Sequence, residues 1–438
     1  MGIKVAKFGG SSLADASQIK KVQAIIQADP ERRYIVPSAP GKRTPADYKI
    51  TDLLYLCHRN VQQGIPFNDV FDHIAGRYRK IIEELGLALD LQPHLENIKN
   101  QIETGVEVDY TASRGEFLNG LIVAALLNYD FIDPADVIFF NRQGLLDAEL
   151  TQAKLTECLN RHYQAVIPGF YGRTPEGKIK TFSRGGSDIT GAIVAQGVSA
   201  TVYENWTDVS GFLMADPRIV KNPKPIQKLT YRELRELAYM GATVLHEESI
   251  FPVRQAGIPV NIKNTNAPDH PGTFIVNDAD PTAQTGSITG IAGRKDFTVI
   301  TVEKSLMNAE LGFGRKLLSI LETNLVSFEH MPTGIDTLSV VIADSKLDQK
   351  LDKITEEIKE ICRPDAIEVS PNMALIATVG RGMAFTPGIA AKLFAALGRA
   401  GINVRMINQG SSEINIIVGV ETSDFEAAVR AIYNAFME

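Results

Sequence analysis

The sequence predicts an α/β domain with a mostly parallel sheet sandwiched by helices, followed by two ferredoxin-like α+β units. Three observations carry this. Strand and helix signals alternate through residues 1–276, a pattern that favours a parallel sheet covered on both faces. Two stretches rich in Pro, Asp, Asn and Gly, Asn266–Thr273 and Asn277–Ser287, then break the pattern as linkers do. Beyond them Leu311–Ile342 aligns without gaps on Pro387–Val418, at a constant offset of 76 (388 − 312). Such a repeat marks two copies of one small βαββαβ unit. The predicted domains are therefore 1–276, 290–366 and 371–438.

In chain order, Ile3–Phe8 reads as a strand and Ala14–Ala28 as an amphipathic helix. Tyr34–Ser38 is a second strand, and Thr51–Gln62 opens a helical hairpin running to about Glu103. Gly115–Asn128, with its apolar run Leu121–Leu127, is a largely buried helix. Val137–Phe140, Ala165–Pro168 and Thr201–Glu204 read as further strands. Thr230 followed by Glu233 forms a capping box that opens a helix. In the repeat, Gly312 matches Gly388, Lys316 matches Lys392, Leu317 matches Leu393, Leu321 matches Leu397 and Gly334 matches Gly410.

Composition narrows the class of function. At 438 residues the chain exceeds one compact core, and its net charge of −7 is spread without a basic block. No nucleic-acid partner is expected. The three cysteines and seven histidines are scattered without metal-ligand spacing, which argues against disulfides and structural zinc. The first residues enter a strand rather than a signal segment, Ala6 does not suit a myristoylation signal, and no apolar run approaches a membrane span. A cytoplasmic protein without membrane contact is expected.

Two glycine turns are the candidate chemistry. Lys7-Phe8-Gly9-Gly10-Ser11-Ser12 lies where the first strand gives way to the first helix. Glycines there let backbone N–H groups approach a phosphate, and Lys7 adds a point charge. Ser183-Arg184-Gly185-Gly186-Ser187-Asp188 repeats the device before another helix. Arg184 offers a planar fork for a carboxylate, whereas Asp188 taken alone is equally well an N-cap. Asn205-Trp206-Thr207-Asp208, then Asp216-Pro217-Arg218, follow a strand at the edge that ligands favour; Trp206 reads as a packing residue. Glu116 sits in the first turn of its predicted helix, suited to capping or to pairing with an ammonium. Pro40-Gly41-Lys42-Arg43-Thr44 resembles the tail of a P-loop but lacks its first glycine, and no GxGxxG follows a strand.

Together these motifs resemble the aspartokinase branch of the amino-acid kinase family. The resemblance runs through KFGGSS, SxGE at Ser113–Glu116, GFxG at Gly169–Gly172 and RGGSD at Arg184–Asp188. It continues through WTDV and DPR between Trp206 and Arg218, GAxVLH at Gly241–His246, and INVRMINQGSSEINI at Ile402–Ile416. The last of these is similar to the second ACT domain of such enzymes. The resemblance implies a carbamate-kinase-like catalytic fold and ATP-dependent phosphorylation of the β-carboxylate of L-aspartate. That reaction opens synthesis of lysine, threonine and methionine. It implies Mg²⁺ with ATP as substrate and no tightly bound organic cofactor; no protein ligand for the metal is named.

The resemblance also implies roles. Lys7, Gly9, Gly10 and Ser11 hold phosphates, and Ser187, Thr207, Asp208, Asp216 and Arg218 line the nucleotide. Ser38, Thr51, Glu116, Phe170, Arg184, Ser187 and Asp188 surround aspartate, with Arg184 on the α-carboxylate and Glu116 on the α-ammonium. Lys7 and Asp188 are the catalytic pair. The first ACT copy implies an effector pocket at Met307, Gly312, Phe313, Ser327, Phe328, Glu329 and Thr333, for lysine first and threonine next. A homodimer through these domains, or a tetramer, is implied as well. Thr243 and Glu247 depart from the family's Lys-Val-Leu-His-Pro, and the turn after Ser38 is lengthened. Two rival readings are a catalytically silent amino-acid sensor and a kinase of another acidic amino acid.

Overall fold

The computed structural model describes residues 2–183, 185–242, 245, 247–278, 286–384 and 386–437, without the side chain of Glu247. Its contacts divide into two units: 1–212, 225–234 and 244–283 form the first, and 213–224, 235–243 and 284–438 the second.

The first unit is built on an eight-stranded sheet. Its order is Lys228–Thr230, Thr273–Val276, Val260–Asn264, Val202–Thr207, Lys4–Phe8, Arg32–Pro37, Ala165–Val166, Asp130–Phe131. Neighbours run parallel except Val260–Asn264 against Thr273–Val276. Lys4–Phe8 is central, with Val5, Ala6 and Phe8 fully buried, as a strand covered on both faces must be. Chain order departs in opposite directions on its two sides, so the carboxyl end of Lys4–Phe8 is a topological switch point. Ile19, Ile26, Leu54, Phe71, Tyr78 and Ile122 bring four helices onto one core against this sheet. Trp206 is packing: it is buried, stacks on Phe8 at 5.8 Å, and donates its indole N–H to Glu204.

Several predicted elements shift. The expected hairpin from Thr51 is three helices, Ile50–Gln62, Asn68–Leu85 and Gln92–Glu103. The buried helix starts at Val108 rather than Gly115, because burial of Thr111, Ala112 and Ser113 extends it beyond its apolar run. The strand expected at Val137–Phe140 is not one. Asp133 caps a helical turn over Pro134–Val137, Phe139 and Phe140 make isolated bridges, and Asp130–Phe131 is the sheet strand. The capping box holds: Thr230 N–H donates to Glu233 Oε2 (2.8 Å) and Glu233 N–H to Thr230 Oγ1 (3.3 Å).

The second unit centres on a five-stranded antiparallel sheet, ordered Thr337–Ala343, Gly290–Glu303, Ala366–Val379, Asn415–Glu421, Met406–Asn408. The repeat is visible in its geometry. Helices Phe313–Thr323 and Ile389–Arg399 each follow a glycine in the left-handed region, Gly312 (φ 79°) and Gly388 (φ 89°). Both long strands carry a left-handed residue at matching positions, Asp296 and Asn372. Each copy has its own core, one around Ile300, Leu317 and Ile358, the other around Ile376, Leu393 and Ile432. Ile288 and Ile291 pack in the second of these cores. Residues from 290, which the sequence assigns to the first repeat, thus supply a strand to the core of the second.

Candidate active site

The site forms at the carboxyl edge of the central strands of the first unit. Past Phe8 the chain enters the glycine turn, where Gly9 N–H donates to the Trp206 carbonyl (2.9 Å). A short 3₁₀ turn, Gly10–Leu13, follows. The first long helix begins only at Ala16, and Asp15 caps it by accepting from Gln18 N–H (3.0 Å). The phosphate-binding potential of this turn therefore lies in the 3₁₀ segment, since a carboxylate already occupies the helix terminus.

Against that turn lies the lengthened loop after Ser38. Gly41 N–H donates to the Gly10 carbonyl (2.8 Å). Buried Arg77 ties the loop down through the carbonyls of Gly41, Tyr48 and Ala14. The approach needs glycine, because a Cβ on Gly10 would lie 2.9 Å from the Ala39 carbonyl oxygen and 3.1 Å from Gly41 Cα. Gly10→Ala should thus displace the turn, at a cost of about 1–3 kcal/mol. The expected outcome is a folded protein whose melting temperature falls by a few degrees, checked by thermal melting.

The second glycine turn is uncapped. Gly185 (φ 57°) precedes helix Gly186–Gly197 without a side-chain cap. Asp188 is not spent on capping: its Oδ1 lies 2.5 Å from Lys7 Nζ and accepts from Asn205 Nδ2 (2.8 Å). Asn205 Oδ1 in turn accepts from Lys7 Nζ (3.4 Å). One ion pair therefore joins the two glycine turns, and Asn205 orients it. Sequence reasoning singled out the Asn205 motif without a role for Asn205; its position beside Trp206 at a strand end was the available signal.

Phe170 and Ser187, two other expected residues, lie against or within the second glycine turn. Phe170 holds a left-handed backbone (φ 87°), a strain of about 1–3 kcal/mol for a residue of this kind. Its N–H donates to Thr190 Oγ1 (3.0 Å) and its carbonyl accepts from Phe182 N–H (3.0 Å). Gly186 lies so close that a Cβ there would sit 2.4 Å from the Phe170 ring. Ser187 packs on Gly169, where a Cβ would be 2.5 Å from its hydroxyl. Ser38 N–H donates to the Phe8 carbonyl (3.0 Å), and Thr51 is half-buried in the first turn of its helix.

Glu116 is buried, and its Oε2 has no hydrogen-bond partner among the described residues. Burial pushes its carboxyl up to about 8, tempered by the backbone N–H of Ala39 and the charge of Arg114. It sits well inside helix Val108–Leu127, so it is no N-cap. Thr207 donates to Asp208 Oδ1 (3.2 Å). Arg184, Thr243 and His246 lie outside the described residues. Asp216 and Arg218 belong to the second unit, where Arg218 folds onto Asp216 (2.6 Å) at the surface.

Of the expected effector residues, Met307 and Phe313 are buried in the first-repeat core, and Gly312 precedes its helix. Ser327, Phe328 and Thr333 are exposed, and Glu329 accepts a hydrogen bond from the Tyr239 hydroxyl. The described residues hold no group of three or more His, Cys, Asp or Glu arranged to bind a metal. No described helix is long and apolar enough to cross a membrane.

Residues 2–264 match the amino acid kinase family and residues 376–436 an ACT domain. Aspartokinase 3 of Bacillus subtilis (strain 168) is 38% identical over 455 residues, covering 99% of this chain and 98% of the relative. The crystal structure of Clostridium acetobutylicum aspartate kinase is 61% identical, with a TM-score of 0.94 and full coverage (100%) of both chains. E. coli aspartokinase III in complex with aspartate and ADP is 26% identical, with a TM-score of 0.74 and 100% coverage of both chains. The same enzyme in complex with lysine and aspartate gives a TM-score of 0.76 at 26% identity over 100% of both chains. The chain belongs to the amino acid kinase family, in its aspartokinase branch.

Proposed function

We propose that this chain transfers the γ-phosphoryl of ATP to the β-carboxylate of L-aspartate, giving 4-phospho-L-aspartate and ADP. The observation that carries the reading is the Lys7–Asp188 pair at 2.5 Å, which joins two glycine turns at the carboxyl edge of the sheet. The nucleophile is the substrate's own carboxylate, ionised at neutral pH, so no general base is required. Catalysis is then in-line positioning and neutralisation of charge on the transferring phosphoryl.

In this scheme Lys7, Gly9, Gly10 and Ser11 receive the phosphates of Mg·ATP, and the uncapped start of Gly186–Gly197 faces the same charge. Thr207 and Asp208 are the nucleotide-side residues of this unit. Glu116 takes the α-ammonium, while Ser38, Thr51, Phe170 and Ser187 enclose the rest of aspartate. The two-copy unit acts as the regulatory part, with lysine the first candidate effector and threonine the second. A coupled assay of ADP production tests this: aspartate should support turnover and glutamate should not, and lysine should inhibit. Equal turnover with glutamate, or none with aspartate, contradicts the substrate; indifference to lysine, threonine and methionine contradicts the regulation.

A homodimer through the first repeat completes the proposal. Leu311 and Leu325 are 97% and 86% exposed there, with Leu306 and Ile335 also largely exposed. Apolar residues exposed in such number favour a covered surface. Sedimentation should give a dimer that Leu311→Glu weakens; a monomer at micromolar concentration contradicts it.

A further inference from the structure

Asn119 took no part in the site as read from sequence, yet the structure gives it an unusual place. It is fully buried, one helical turn beyond Glu116 on helix Val108–Leu127. Its Nδ2 donates to the Ser38 carbonyl (2.7 Å), while its Oδ1 has no partner among the described residues. Ser38 is thereby held from two directions, since its own N–H donates to the Phe8 carbonyl (3.0 Å). Phe8 leads directly into the phosphate turn.

The helix reaches this position on glycines. A Cβ on Gly115 would lie 2.9 Å from Ala39 Cβ, and one on Gly120 would lie 2.4 Å from the Pro168 ring. Gly115, Glu116, Asn119 and Gly120 thus form one helix face pressed on the ends of two adjacent strands. Two of these residues permit the approach. The other two present buried polar atoms, each with an acceptor left open.

We infer that Asn119 is a positioning residue for the acceptor substrate: by locking the Ser38 turn to the helix that carries Glu116, it fixes the spacing between the groups that receive aspartate. The inference rests on the proposed aspartate kinase reading. The amide suits this task because it donates to a carbonyl. A carboxylate in the same volume offers only acceptors and would face that carbonyl unfavourably. An aliphatic residue of similar size would leave the Ser38 carbonyl without this donor.

The test is steady-state kinetics on the full chain with Asn119→Leu and Asn119→Asp beside the unaltered protein. Both should raise KM for aspartate about tenfold, with KM for ATP changed less than about twofold. For Asn119→Asp the defect relative to the unaltered protein should shrink as pH falls, because a protonated carboxyl regains a donor. A merely structural residue would instead change both KM values together and show no such pH dependence. KM for aspartate within twofold of normal in the folded variants, or parallel loss for both substrates, overturns the inference. If Asn119→Leu does not fold, the near-isosteric Asn119→Asp carries the test. Absence of aspartate-dependent turnover in the unaltered protein would instead overturn the functional reading on which the inference rests.

Discussion

Asp188→Asn should lower kcat by about 10²–10³-fold while leaving the fold intact. Both contacts of this carboxylate, to Lys7 Nζ at 2.5 Å and to Asn205 Nδ2 at 2.8 Å, are made by Oδ1. An amide retains that oxygen, so both bonds can persist and the turn need not move. What disappears is the negative charge that holds the Lys7 ammonium at the meeting point of the two glycine turns. Asp188 does not cap its helix, so the helix start loses nothing. The loss should therefore fall on kcat, with melting temperature shifted by a few degrees at most. Single-turnover kinetics with thermal melting checks this, and near-normal turnover would remove Asp188 from the catalytic account.

Glu116→Gln should raise KM for aspartate by roughly 100-fold and abolish its pH dependence. In the free protein burial pushes the Glu116 carboxyl up to about 8. An arriving ammonium favours the ionised form, so binding below that pH releases a proton. KM for aspartate should accordingly fall as pH rises from 6 to 8, and binding enthalpy should depend on the ionisation heat of the buffer. The same group shapes stability. Its folded pKa lies above the unfolded value of about 4.3, so between roughly pH 4 and 8 the folded state binds the extra proton. This group's contribution to stability then declines as pH rises through that window. Glu116→Gln, having no proton to lose, should melt with a flatter pH profile. A pH-independent KM in the unaltered protein would contradict the role of Glu116.

Much of the fold was legible because its signals are local. The first glycine turn follows the largely buried strand Lys4–Phe8, and the gap-free repeat survives as paired glycines with left-handed backbones at Gly312 and Gly388. The capping box at Thr230 and Glu233 forms with both of its reciprocal bonds. What escaped depends on tertiary context. The helix from Val108 begins in polar residues that only packing buries. The strand from Gly290 joins the core of a repeat that lies far along the chain, which no local pattern encodes.

The site divides in the same way. Glycines and charged residues stood in recognisable motifs, and Lys7 and Asp188 do meet. Whether Asp188 capped a helix or held a cation could not be read from residues 183–188, since the answer lies in Lys7 and Asn205 on distant strands. Asn119 was invisible for a similar reason: an amide within an apolar run gains meaning only from the Ser38 carbonyl beside it.

Phosphorylation of the β-carboxylate of aspartate leaves an acyl phosphate as the product. Trapping the product with hydroxylamine during turnover with Mg·ATP and L-aspartate tests it most directly, because an acyl phosphate yields the matching hydroxamate. The expected result is the β-hydroxamate of aspartate in one-to-one ratio with ADP, and none with glutamate. ADP formed without hydroxamate, or hydroxamate formed equally well from glutamate, would contradict it.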